Sequence, residues 1–181
     1  MKAVNRIQPI DHLQQQQVIA ATEACIQRGG ELLQRTFQPI PVAFDLTGRA
    51  AGMYRVQGRQ RLIRYNPYLF AKYFDANLAD TVPHEVAHYL VHMLYGLRKV
   101  RAHGPEWREL MALFGASPKA TCNFDLTGVP VRTQRRFAYR CECSRHAITT
   151  RRHNQIARGA VRYFCKACRG ELYFVEEESC R

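Results

Sequence analysis

Through residues 12–37 apolar side chains recur at helical spacing, with Leu13, Val18, Ile19, Ala21, Ala24, Ile26 and Leu32-Leu33 set among polar positions. Such a stripe is what an amphipathic helix needs in order to bury one face. Gly29-Gly30 falls inside the stripe, so the pattern predicts a helix broken there. Three short runs follow, at residues 41–46, 51–56 and 61–65, which alternate or cluster like strands and are punctuated by Gly48, Gly52 and Gly58; a small antiparallel sheet is expected. Asn66-Pro67 opens a second helix over residues 68–74. In the next, Val86, Leu90, Val91 and Leu94 repeat at core-facing spacing, with Asp80 or Thr81 available as cap and Pro83 in the first turn, where its missing N–H costs little. A further amphipathic segment carries Leu110, Met111, Leu113 and Phe114. One helix, a small sheet and then three helices make an α+β fold, without internal repeats.

The pattern changes near residues 127–130, where Gly and Pro interrupt it and arginine density rises, so a first domain over residues 1–130 and a second over 131–181 are expected. In the second, Phe137-Ala138-Tyr139 and residues 161–164 read as strands. Four cysteines frame them, as Cys141-Glu142-Cys143 and Cys165-Lys166-Ala167-Cys168. The C-x-x-C pair has the spacing of a zinc knuckle, and soft thiolates suit a closed structural site, so a zinc ribbon is expected. The tighter C-x-C pair leaves an alternative open, in which Cys143 and His146 form the first knuckle and Cys141 stays free. A module of this size needs a staple, and a metal supplies one. Cys25, Cys122 and Cys180 have no partner at ligand spacing.

The chemistry lies in Pro83-His84-Glu85-Val86-Ala87-His88. Histidines four apart share one helix face and can converge on one cation, and the glutamate beside the first can reach the water that such a cation binds. A catalytic zinc takes three protein ligands and leaves the fourth position open, so a third must come from elsewhere. His103, after a basic loop, is the first choice and Glu106 its rival. His92 continues the ladder, but each step of four rotates about 40° around the axis, which takes it off the metal. Tyr89, Tyr95 or an arginine of the 98–101 loop could steady a developing oxyanion.

Charge extends the picture. Lys and Arg number 27 against 15 acids, a formal net charge of +12, which favours polyanionic partners. Glu142 is the only acid between Arg132 and Arg169. Arginines interleaved with aromatics can neutralise phosphates while stacking on unpaired bases; Arg140, Arg151, Arg152, Arg162 and Tyr163 are the candidate contacts to DNA, single strands favoured. No apolar run approaches the length of a membrane span and the first residues do not read as a signal peptide. A cytoplasmic protein with reduced thiols, monomeric, is expected.

His84-Glu85-x-x-His88 with a downstream His103-Gly104-x-x-Trp107, the Asn66-Pro67 ahead of them, the aromatic-Arg-Cys cluster and Arg151-Arg152-His153-Asn154 together resemble the SprT family over about residues 46–170. The resemblance implies a minimal zincin-like metalloprotease core related to the protease domain of Spartan, which digests proteins crosslinked to DNA. It also implies His84, His88 and His103 as zinc ligands and Glu85 as catalytic base.

Overall fold

A computed structural model describes residues 6–96, 99–120, 123–131 and 135–175. The fold is mixed α+β, and the chain divides into two compact units, residues 1–131 and 132–181, each with its own core.

In the first unit α1 (His12–Leu33) begins with a reciprocal cap: the Asp11 carboxylate accepts from the Gln14 N–H at 2.8 Å, and the Gln14 side chain accepts from the Asp11 N–H at 3.2 Å. The helix runs unbroken through Gly29-Gly30, contrary to the expected break. Gly29 lies where α1 meets the later helix carrying Leu90, and a Cβ there would sit 2.3 Å from Leu90 Cδ1. The glycine is a point of close helix contact, and its lower helix propensity is offset by the packing it permits. The chain leaves α1 through Gln34 in the left-handed conformation.

The sheet consists of β1 (Val42–Ala43), β2 (Gly52–Gln57) and β3 (Gln60–Tyr65), in the order β1-β3-β2. β2 and β3 form an antiparallel hairpin with Tyr54 opposite Ile63. β1 pairs parallel to β3, so the sheet is mixed where an antiparallel one was expected. The 41–46 run aligns only two residues as strand; its far end is tied instead by the Leu46 N–H donating to the Tyr65 carbonyl at 3.2 Å. β2 is thereby left as an edge.

α2 (Pro67–Lys72) starts at Asn66, whose side-chain oxygen accepts from the N–H groups of Tyr68 and Leu69 while its amide donates to the carbonyls of Gly48 and Ala50. One buried side chain thus caps a helix and pins the loop that leads into β2. After the short α3 (Phe74–Ala76) comes a π-helical turn, Asn77–Thr81, which feeds directly into α4 (Val82–Tyr95). Neither Asp80 nor Thr81 caps α4: the Thr81 hydroxyl donates to the Asn77 side chain at 2.7 Å, and the Asn77 amide donates to the carbonyls of Leu69 and Tyr73. These bonds within the wider turn take the place of a cap. α5 (Pro105–Leu113) completes the unit, and Ile63, Tyr65, Phe70, Val86, Leu90, Trp107 and Met111 are buried between sheet and helices.

The second unit holds β4 (Arg136–Arg140), β5 (Arg145–Thr149), α6 (Thr150–Ala157) and β6 (Tyr173–Phe174), with an antiparallel sheet in the order β5-β4-β6. Residues 161–164 are not a strand; Phe164 makes a single bridge to Glu171. Arg151-Arg152-His153-Asn154 lies in α6, which has no fully buried residue but packs Ile156 against the small core and stacks the His153 ring on Phe137 with centroids 3.7 Å apart. The core is small: Tyr139, Cys141, Ile148, Cys165 and Leu172. No helix among the described residues is long and apolar enough to cross a membrane.

The Gly29 contact makes a test of the α1–α4 packing. Gly29→Ala should destabilise the first unit by up to about 2 kcal/mol, because overpacking of about 1–3 kcal/mol is set against the roughly 1 kcal/mol that alanine gains in helix propensity. Urea unfolding measures it; a more stable variant would show that α1 can move away from Leu90.

Candidate functional site

On α4, His84 and His88 stand one turn apart on one face, and the chain then doubles back through Gly96 (φ 80°) to bring His103 in just ahead of α5. The three Nε2 atoms form a nearly equilateral triangle: 3.2 Å from His84 to His88, 3.2 Å from His88 to His103 and 3.3 Å from His103 to His84. Tetrahedral zinc with bonds of about 2.0–2.1 Å would set its nitrogens roughly 3.3–3.4 Å apart. The three imidazoles could therefore hold a metal ion with a position to spare. Glu106 is not in the group.

Burial keeps these rings in the neutral form that a ligand requires: it pushes His84 down to about 4 and His88 to about 3, and lowers His103 as well. Their floor is Trp107, with ring centroids 4.7 Å from His84, 5.6 Å from His88 and 4.7 Å from His103. Its indole N–H donates to the His84 carbonyl at 3.3 Å, which ties α5 to the start of α4. This structural role was not read from the sequence, although Trp107 stands four residues after His103 on the same helix-opening segment.

Glu85, beside His84 on α4, lies under the edge strand. It is only 5% exposed, and its carboxylate accepts from the Tyr54 N–H at 2.7 Å. Gly52 permits the approach: a Cβ there would lie 2.6 Å from Glu85 Cγ and 2.9 Å from Thr81 Cγ2. Burial pushes the Glu85 carboxyl up to about 7, with the Tyr54 N–H pulling in the opposite direction. Among the described residues no Lys or Arg forms an ion pair with it.

Two clefts meet here, each bordered by Gly52, His84 and Glu85. The larger, about 810 Å³, extends past Arg49, Thr81, Phe124 and Asp125. The smaller, about 390 Å³, extends past Tyr54, Val91, His92, Val100 and Arg101. Of the oxyanion candidates, Tyr89 is buried with its hydroxyl donating to the Gln38 carbonyl at 2.8 Å, so it is already committed. Tyr95 is exposed, Arg101 borders the smaller cleft, and Arg98 lies outside the described residues. His92 is neither a ligand nor free, since its Nδ1 is 2.6 Å from the Tyr54 hydroxyl.

In the second unit the four cysteine sulfurs converge, all within 4.8 Å of one another. Cys141 and Cys143 are 3.4 Å apart and Cys143 and Cys165 3.6 Å, near the roughly 3.7–3.8 Å that tetrahedral zinc with bonds of about 2.3 Å imposes. The C-x-C pair is drawn together by a tight turn in which the Cys141 N–H donates to the Ser144 carbonyl at 3.1 Å. His146 stands alongside, its Nε2 3.3 Å from Cys141 Sγ and 3.1 Å from the Ser144 hydroxyl. Its hydrogen bond is the main cause of a Cys141 thiol held down to about 5, so it favours the thiolate that a metal needs. Four sulfurs with no open position make a group suited to structure. Cys25 is half-buried and packed against the main core, its thiol pushed up to about 12 by burial; Cys122 and Cys180 lie outside the described residues.

The basic candidates divide. Arg151 is exposed on α6, Arg140 lies over the Tyr173 ring at 5.2 Å, Arg152 lies over Tyr163 at 5.4 Å, and Arg162 is 3.7 Å from Glu171. Tyr163 is half-buried against the small core, and its hydroxyl donates to the Gln155 side chain at 3.1 Å. The exposed rings of this unit are instead Phe164, Tyr173 and Phe174.

Comparison with known proteins gives the family of the chain. The model of the SprT-like family matches residues 22–135, a span that includes the three histidines, Glu85, Gly52 and Trp107. A Protein SprT from Shewanella oneidensis is 38% identical over 159 residues, covering 87% of this chain and 97% of that protein. One from Vibrio parahaemolyticus is 40% identical over 152 residues, covering 83% and 87% respectively. One from Pseudomonas paraeruginosa is 37% identical over 162 residues, covering 87% and 94%. With a family model spanning most of its first unit and relatives that match it over nearly their whole length, the chain belongs to the SprT-like family.

Proposed function

We propose that the chain is a zinc-dependent peptidase with a zincin-like catalytic unit and a ribbon-like second unit that carries a structural zinc. The observation that carries the reading is the placement of Glu85, a buried carboxylate without an ion-pair partner among the described residues, next to three convergent imidazoles at the meeting point of two clefts. A structural metal site has no use for a base beside it. His84, His88 and His103 would hold the catalytic zinc, which when bound supplies an acidified water and a Lewis acid for the scissile carbonyl.

The remaining work falls to the protein. Glu85 takes a proton from the attacking water and returns it to the leaving amine nitrogen, and its raised carboxyl lies near the working pH, where a general base is most effective. Trp107 fixes the ring orientations and excludes water from behind them. The paired clefts give an extended peptide room on both sides of the scissile bond.

The substrate we favour is protein bound or crosslinked to DNA, presented by a nucleic-acid contact on the second unit. Support comes from its excess of arginine and from the exposed rings of Phe164, Tyr173 and Phe174 close to Arg140 and Arg162 in sequence or space. On this reading the protein works as a cytoplasmic monomer. A second reading, a non-proteolytic nucleic-acid-binding protein that uses the first unit as scaffold, draws on the same basic unit but leaves Glu85 without a purpose.

Glu85→Gln should lower peptide hydrolysis by about 10²-fold or more while keeping fold and metal, the scale of lost general acid–base catalysis. The assay should be run with and without single-stranded and duplex DNA; full activity in the metal-loaded variant would exclude the assigned role. Elemental analysis should find two zinc ions per chain, with His84→Ala losing one and Cys165→Ser the other. A single zinc in the parent protein would remove one of the two sites from the proposal.

DNA affinity should fall steeply with salt, each neutralised phosphate contributing a slope of about −0.7 to −0.9. Charge reversal at Arg151 and Arg152 should flatten that slope. Phe174→Ala or Tyr173→Ala should cost about 1–3 kcal/mol of binding at nearly unchanged slope, as expected for a lost stacking ring. Tyr163→Ala should act through stability instead. Affinity measured against salt separates these cases.

A further inference from the structure

We infer that the hydrogen bond between the Tyr54 hydroxyl and His92 Nδ1 is a strap that sets the working position of Glu85, so that Tyr54 and His92 are positioning residues for the proposed hydrolysis; the inference rests on the reading of Glu85 as general base. β2 is the edge of its sheet, bonded to β3 on one side only. Among the described residues its other side is joined to α4 by two polar links, and both come from Tyr54: the backbone N–H to Glu85 at 2.7 Å and the hydroxyl to His92 at 2.6 Å.

The two links grip α4 seven residues apart, a separation of about 10.5 Å along a helix and close to two full turns, so Glu85 and His92 lie on the same face. The Tyr54 ring bridges them, its centroid 5.9 Å from that of Tyr89 and 5.8 Å from that of His92. At Gly52 the strand comes against Glu85 and Thr81 with no side chain of its own to act as spacer. The depth of β2 over the carboxylate is therefore set further along, by the Tyr54 side chain. Lengthening or removing the hydroxyl–imidazole bond lets the edge strand rise, and the Tyr54 N–H moves off the Glu85 oxygen. A buried carboxylate that loses its donor turns toward whatever polar group or water it can reach, and it leaves the position from which it serves the reaction. His92 stands outside the metal group and borders the smaller cleft, and in this scheme its effect on the chemical step runs through Tyr54.

The test uses the full-length, zinc-loaded protein, with Tyr54→Phe, His92→Ala, His92→Asn and Glu85→Gln as variants. Two readouts are taken: steady-state peptide hydrolysis, and the amide resonance of residue 54 in a ¹H–¹⁵N spectrum, which an N–H donating to a carboxylate shifts downfield. Tyr54→Phe and His92→Ala should lower kcat about tenfold or more with KM within about twofold, the signature of a displaced catalytic group, whose misplacement by about 1 Å can cost up to about 10²-fold. Both should keep two zinc ions and move the residue 54 amide toward its position in Glu85→Gln. His92→Asn, whose side-chain oxygen falls near the place of Nδ1, should restore both signals. An unchanged residue 54 amide in Tyr54→Phe overturns the strap, and that variant decides the matter alone if His92→Ala does not fold. If the parent protein hydrolyses peptide no faster than Glu85→Gln, the general-base reading fails, while the amide resonance still decides whether the strap exists.

Discussion

Among the described residues Glu85 is buried without an ion-pair partner and takes its hydrogen bond from the backbone of Tyr54, and the first unit is organised around that contact. The Tyr54 N–H is free to serve because β2 is an edge strand, with every second amide turned away from β3. The strand can come close enough only because position 52 is glycine. Its approach in turn depends on Asn66, which holds the loop ahead of β2 to the start of α2, and on the bonds of the π-helical turn that deliver α4 at its angle. Desolvation raises the carboxyl and the single charged hydrogen bond lowers it, so its proton affinity is set by how well the strand is seated.

The three imidazoles follow a different logic. Two are supplied by helical periodicity, and the third is carried in by a turn at Gly96 and locked by Trp107, whose face and N–H reach both α4 and the His103 segment. Their burial disfavours protonation, which leaves nitrogen lone pairs facing one point. Desolvation therefore acts in the same sense on both halves of the site, favouring neutral rings and a carboxylate that binds protons more readily.

The second unit buries little apolar surface: among the described residues five buried side chains, two of them cysteines, form its core. The sulfur cluster thus bears on folding as well as on metal capacity. Because that role leaves most of the surface unconstrained, exposed rings and arginines can occupy it at little cost to the fold. Tyr163, which resembles a surface stacker in the sequence, is drawn into the core because β4, α6 and the 163–172 segment have so few other apolar groups to enclose.

Spacing along the chain by itself pointed to two pairs of candidate metal-binding residues, His84 with His88 and Cys165 with Cys168, because a helix turn or a knuckle repeats the same geometry wherever it occurs. It also pointed to His103, to an α+β order of elements and, through charge, to a basic second half. Tertiary structure alone decided that Gly29 is a helix contact rather than a break, that β1 runs parallel to β3, that Thr81 bonds Asn77 instead of capping α4, and that Tyr54 binds both Glu85 and His92. Each of these joins residues whose separation is bridged by the meeting of two elements, or trades a local preference for such a meeting. A glycine in a helix reads as weakness until the partner that needs its missing side chain is in place, and no periodicity in the chain carries the distance between a strand and the helix beneath it.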